Sequence, residues 1–234
     1  MTAAAQVAAR PAPTASRTSG TRRMGMALAM IIAPWGFVVT NTAYALAIRD
    51  GGNEATSLDA LALYAGHPDL VRIAVVAGML GCLLLVPAVL GVFRLAPTSR
   101  LVLAGGSLMI AGYIAYFAVL NGSLTTLAMA EHGEPVETFA AVLDASQAEP
   151  WSTVVFLLFV VGNLIGTALL AVGLLVSRAV PVWAAVSILA WPPLHVVGLV
   201  FFGNEVPQVI GAVLQAIGFA GCAAMLLRQR ASAS

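Results

Sequence analysis

Six apolar stretches, at about residues 24–48, 71–93, 101–128, 152–176, 180–202 and 206–227, fill most of the chain, and none carries Asp, Glu or Arg in its middle. Each is close to the ~20 apolar residues that a helix needs to cross ~30 Å of hydrocarbon at ~1.5 Å per residue. A chain that leaves such stretches in water would expose far more apolar surface than a soluble protein tolerates. Composition agrees, since 60% of the 234 residues are of the AVILMFWYC set and only 9% are charged, against about 25% charged in soluble domains. The expected fold is therefore all-α: a polytopic bundle of six transmembrane helices, residues 24–228, with the lipid bilayer as its main partner. Residues 1–23, rich in Ala, Pro, Ser and Thr with four Arg and no acid, read as a disordered tail, and residues 229–234 as a second short one.

Charge placement gives the expected orientation. All eleven basic residues are Arg. If six helices alternate, nine of them (Arg10, Arg17, Arg22, Arg23, Arg94, Arg100, Arg178, Arg228 and Arg230) fall on one face, and all ten acids fall on the other. Short loops retain Arg in the cytoplasm, so both termini are placed there, in a cell membrane. The exceptions are Arg49 and Arg72, and Arg72 stands three residues after Asp69, a natural ion-pair spacing. A cleaved signal peptide is the rival for the first stretch, because Arg22-Arg23 precede it and Ala43-Tyr44-Ala45 resembles a cleavage site. The apolar run exceeds the 7–15 residues usual for such a peptide, which favours an uncleaved anchor. The long acidic outer loops, about 49–70 and 129–151, suit short helices lying over the outer face.

Function is less legible. A formal net charge of +1, with no basic patch interleaved with aromatics, sets nucleic acid aside. Cys82 and Cys222 fall inside apolar stretches and are expected to be free, buried thiols. His67, His132 and His195 are too scattered to suggest a metal site, and no phosphate-cradling glycine loop or other cofactor signature is present. Absence of charge in the middle of the spans argues against an ion-coupled transporter or proton relay, which need such groups.

Polar residues concentrate in the outer half: Asn41, Tyr44, Tyr113, Tyr116, Asn121, His195 and Gln208, with Asn163 and Gln215 deeper. Facing inward, they would outline a pocket open to the outside; facing neighbours, they would be interhelical glue. Trp151 and Trp183 suit the interface belt. Trp191-Pro192-Pro193-Leu194-His195 predicts a kinked helix, because two prolines withhold two amides and strand carbonyls near Ser187 to Leu189. Glu205, the acid nearest to this break, also suits a helix-capping role beside Asn204. Gly162-Asn163-Leu164-Ile165-Gly166 matches the small-xxx-small pattern of close helix packing.

Several of these segments together, namely the Arg-rich tail, His67-Pro68, Val86 to Gly91, Gly105-Gly106 and Val180 to Ala184, resemble a large group of uncharacterised actinobacterial six-helix membrane proteins. Small integral-membrane isoprenoid (terpene) cyclases are similar in size and hydropathy. The first resemblance implies topology without an activity. The second implies a membrane-embedded lyase or isomerase for a lipophilic substrate, with Glu205 as proton donor, His195 as base, and Trp35, Trp191, Tyr113 and Phe117 facing cations. Asn41, Tyr113, Tyr116, Trp191 and Gln208 would line the substrate site. Two alternatives stay open: a non-catalytic scaffold or accessory subunit, and a transporter of an uncharged substrate.

Overall fold

A computed structural model describes residues 15–198 and 205–229; residues 1–14 of the expected tail, residues 199–204 of the fifth stretch and its exit, and residues 230–234 lie outside the described residues. The described residues contain helices and no strand. In chain order they are α1 (Ala15–Ile48), α2 (Ser57–Gly66), α3 (Pro68–Leu95), α4 (Arg100–His132), α5 (Val136–Ala148), α6 (Pro150–Val161), a π-helical turn (Gly162–Gly166), α7 (Thr167–Ser177), α8 (Val182–Leu189), α9 (Trp191–Val197) and α10 (Val206–Arg228). Among the described residues, five helical stretches are long and apolar enough to cross a membrane: Gly20–Ile48, Pro68–Leu95, Arg100–His132, Pro150–Ser177 and Val206–Arg228. The sixth apolar stretch gives a shorter helical pair, Val182–Val197, roughly 24 Å at ~1.5 Å per residue.

Boundaries differ from expectation where local chemistry extends a helix. The first helix begins at Ala15, so that Arg22 and Arg23 are helical. At the far end of α4, Gly133 (φ +90°) provides the stop, its amide bonding the Met129 carbonyl. α2 starts where the Thr56 hydroxyl accepts from the Asp59 amide, the usual N-cap device. α2 and α5 are the short loop helices, and Ser57 of α2 donates to Asp144 of α5 at 2.5 Å.

The main helices run alternately up and down. Gly91 near the C-terminal end of α3 lies against Met26 and Met30 of α1 and Leu226 of α10, and Gly173 near the end of α7 meets Val102 at the start of α4. Arg22, Arg94, Arg100, Arg178 and Arg228 are thereby gathered at one end of the bundle. Glu54, Asp69, Glu131, Asp144 and Glu205 are gathered at the other. Arg72, an apparent exception to the segregation, reaches both Asp69 (2.9 Å) and Glu131 of α4 (2.6 Å), and Arg49 pairs with Asp50 at 3.4 Å. Both exceptional arginines are thus neutralised by the acids around them.

Glycine sets how closely the helices approach. A Cβ built on Gly112 of α4 would stand 2.6 Å from the Gly162 Cα, one on Gly166 2.7 Å from the Met109 amide nitrogen, and one on Gly36 of α1 2.6 Å from the Ala77 carbonyl of α3. No larger residue fits at these crossings without moving a backbone. The expected close packing of the Gly162 to Gly166 segment is therefore on α4. Around these contacts large apolar side chains such as Ile73, Leu80, Leu83, Ile114, Phe156 and Val176 point outward, as a lipid-facing surface requires. Both cysteines are free and buried.

Candidate functional site

The fifth apolar stretch breaks at Ala190. Pro192 and Pro193 have no amide hydrogens to give to the preceding turn, so α8 ends at Leu189 and α9 restarts at Trp191. The junction stays partly hydrogen-bonded, through Ala190 N–H to the Val186 carbonyl (2.9 Å) and Leu194 N–H to the Ala190 carbonyl (3.2 Å). This break turns the Trp191 indole into the bundle, where it is buried. Its Nε1–H donates to Asn163 Oδ1 at 2.9 Å, and the Tyr113 hydroxyl donates to the same oxygen at 2.6 Å.

Asn163 is held in the π turn, an arrangement found mostly as single turns within α-helices and often at functional sites. One carbonyl oxygen, 2% exposed as a residue, therefore joins α4, the π turn and α9. Gln215 of α10 lies beside the Tyr113 hydroxyl and extends this polar centre to a further helix.

The centre contains more polar atoms than partners. Among the described residues, Thr167 Oγ1, His195 Nδ1 and Gln208 Nε2 are buried without a hydrogen-bond partner, and Gln215 has only the Tyr113 hydroxyl beside it. Gln208 and Gln215 lie seven residues apart, about two turns along one face of α10. His195 stands one turn outward of Trp191, its ring tilted against the indole at 4.9 Å. Hydrocarbon offers nothing to satisfy such atoms, and each orphaned group costs ~1–3 kcal/mol or more.

Toward the acidic end, Glu205 occupies the N-cap position of α10 but makes no side-chain capping bond, so capping does not account for it. Burial and then the nearby Glu54 carboxylate push its pKa up to about 7. The Tyr44 hydroxyl donates to Glu54 Oε2 at 3.1 Å, and Tyr64 of α2 also meets Glu54, with burial and that carboxylate raising its pKa. Two carboxyl groups and two phenols from four different segments are thus near one another at the acidic end of the bundle.

Placement of the other expected site residues is mixed. Asn41 donates to the Phe37 carbonyl of its own helix at 2.7 Å, which serves α1 rather than His195. Tyr116 stacks on Phe159 at 4.2 Å with a 12° interplanar angle, and Phe37 lies 4.6 Å from Tyr113. Trp35 is 46% exposed on the outside of the bundle, away from any interior cation, and Phe117 packs partly buried against the core. Asn163 as a double acceptor, Thr167, and the Glu54–Glu205 proximity are the additions that sequence reasoning missed. An isolated Thr in an apolar helix carries no signal, and Glu54 and Glu205 lie far apart in the chain.

Cavities open elsewhere. One of about 490 Å³ lies between α1 and α3 at the arginine end, and one of about 280 Å³ lies among residues 50–67 at the acidic end. Neither includes His195, Gln208 or Glu205. Among the described residues no three His, Cys, Asp or Glu side chains come together as a metal site. No family model matches the chain, and no curated protein or solved structure matches it either.

Proposed function

We propose that this chain is a six-span protein of the cell membrane with both termini in the cytoplasm, and that its outer half binds a lipophilic small molecule bearing a polar group. The observation that carries the binding reading is the set of buried polar atoms at Thr167, His195 and Gln208 that have no partner among the described residues. Helix packing alone gives no reason to accumulate orphaned polar atoms in hydrocarbon, whereas a ligand hydroxyl or carbonyl would satisfy them. The helix break at Ala190 and the π turn at Asn163 accompany them, and interrupted helices mark binding sites in many membrane proteins. The segregation of arginines and acids to opposite ends supports the orientation.

An enzymatic form of this reading is isoprenoid cyclisation. Glu205, with its pKa raised to about 7, would hold a proton near neutral pH and deliver it to a substrate double bond. A neutral His195, with Nδ1 free, would take a proton from the final carbocation. The alternative is a non-catalytic scaffold, favoured by the completed Tyr113–Asn163–Trp191 network and the glycine-mediated crossings.

Organic extraction and mass spectrometry of the purified full-length protein distinguish the two. The binding reading expects a lipophilic compound that co-purifies with the wild type and is lost in His195→Ala without a fall in melting temperature. A lower melting temperature with no change in co-purified compounds would leave the scaffold. Orientation is tested in cells by labelling single cysteines placed at Thr56, Ser146 or Ser232 after replacing Cys82 and Cys222. Labelling of Ser232→Cys from outside would overturn the six-span arrangement.

A further inference from the structure

At the end of the bundle opposite the polar column, the roughly 490 Å³ cavity lies where the start of α1 meets the end of α3, lined by Arg22, Gly25, Pro87, Leu90, Phe93 and Arg94 among others. Its volume falls within the ~300–1,000 Å³ of small-molecule sites. We propose that this groove binds an anionic phospholipid of the leaflet on the arginine side, Arg22 and Arg94 holding its phosphate and the apolar wall taking the upper part of an acyl chain.

Two like charges converge on one cavity, and neither has an ion-pair partner among the described residues. No acid is at hand to relieve them, since the carboxylates gather at the other end of the bundle. Both arginines stand at the ends of membrane-crossing stretches: Arg22 lies two residues inside Gly20–Ile48, and Arg94 one residue before the end of Pro68–Leu95. That is the depth of lipid phosphates, which basic clefts between helices recognise.

The rest of the wall separates a lipid from a free anion. Leu90 is exposed, and a Cβ built on Gly25 would meet nothing within 4 Å, so an open apolar channel continues from the charged end into the hydrocarbon layer. A free phosphate has no use for that channel; a phospholipid fills both parts.

Native mass spectrometry of the full-length protein in detergent, titrated with phosphatidylglycerol or phosphatidylcholine, tests the assignment. The wild type should retain phosphatidylglycerol about tenfold better. The preference should fall to about twofold or less in R22Q/R94Q, and persist in R100Q/R178Q, which removes the same charge from residues that do not line the groove. Gly25→Phe keeps both arginines and fills the channel, and it should lose the lipid as well; it also stands as the second variant if the arginine double variant does not fold. Undiminished retention in R22Q/R94Q or in Gly25→Phe overturns the proposal. Equal loss in R100Q/R178Q would show diffuse attraction instead, and stripping of the bound lipid by millimolar inorganic phosphate would show a bare anion site.

Discussion

The two halves of the bundle are held together by different physics. At the arginine end the buried side chains are apolar, with Met30, Val89, Val92, Leu170, Leu174, Ala184, Ile188, Phe219 and Leu226 all fully buried. From the middle of the bundle toward the acidic end the interior becomes polar, and the buried polar side chains among the described residues (Thr40, Ser57, Asn163, Thr167, Gln208 and Gln215) lie there. Lipid tails are as apolar as leucine, so the arginine half gains cohesion only from close packing. Its design can be read as shape. The acidic half spends buried positions on hydrogen-bonding groups and leaves several of them unmatched among the described residues.

The sharpest break of this comparison is at the crossing that both halves share. Gly162→Leu drives a side chain into the α4 backbone at Gly112 and Leu108 and should cost about 3 kcal/mol or more, read as a large drop in melting temperature in detergent. Next in size, Asn163→Leu strands the Tyr113 hydroxyl and the Trp191 indole N–H and should cost about 2 kcal/mol. A Tyr113→Phe, Asn163→Ala double-mutant cycle should return a coupling of ~0.6–1.7 kcal/mol, the range for hydrogen bonds between membrane helices; a value of zero would detach the network from stability.

Thr167→Val should have the opposite sign. It replaces a buried hydroxyl that has no partner with an apolar group of similar shape, so stability should hold or rise by up to about 1 kcal/mol. A fall would show that the hydroxyl is satisfied.

Glu205 adds a pH dependence. Its folded pKa of about 7 lies above the ordinary 4.5, so the folded state binds the proton more tightly than the unfolded one. Stability from this group is present below pH ~4.5 and declines as pH rises toward 7. Glu205→Gln should flatten that part of the melting-temperature profile. Smallest is Arg72→Ala, which removes two exposed ion pairs worth ~1 kcal/mol or less in total, and its effect should vanish at high salt.

What was legible in the sequence follows the same division. Apolar runs and the placement of Arg and acids reveal helices and ends, because bilayer thickness and solvation act on each segment alone. The glycine pair at 162 and 166 announces a close crossing, and Pro192-Pro193 announces a break, since both are local backbone properties. The π turn stays hidden because Gly162 to Gly166 fits an α-helix equally well. Partnerships such as Tyr113 with Asn163, or Arg72 with Glu131, depend on which helices become neighbours, and no local pattern encodes that. For the same reason Asn41 looks like a pocket residue in the sequence, yet it turns back to its own helix.

The most direct test of the contrast is the melting temperature of Gln208→Leu/Gln215→Leu, measured together with the mass of compounds extracted from the same preparation. If the outer polar groups exist to hold a ligand, the double variant melts at or above the wild-type temperature once both proteins are stripped of bound compounds, and the unstripped variant carries none of the compound found on the wild type. A variant that melts well below stripped wild type, with an unchanged extract, would contradict the account and make these glutamines part of the packing.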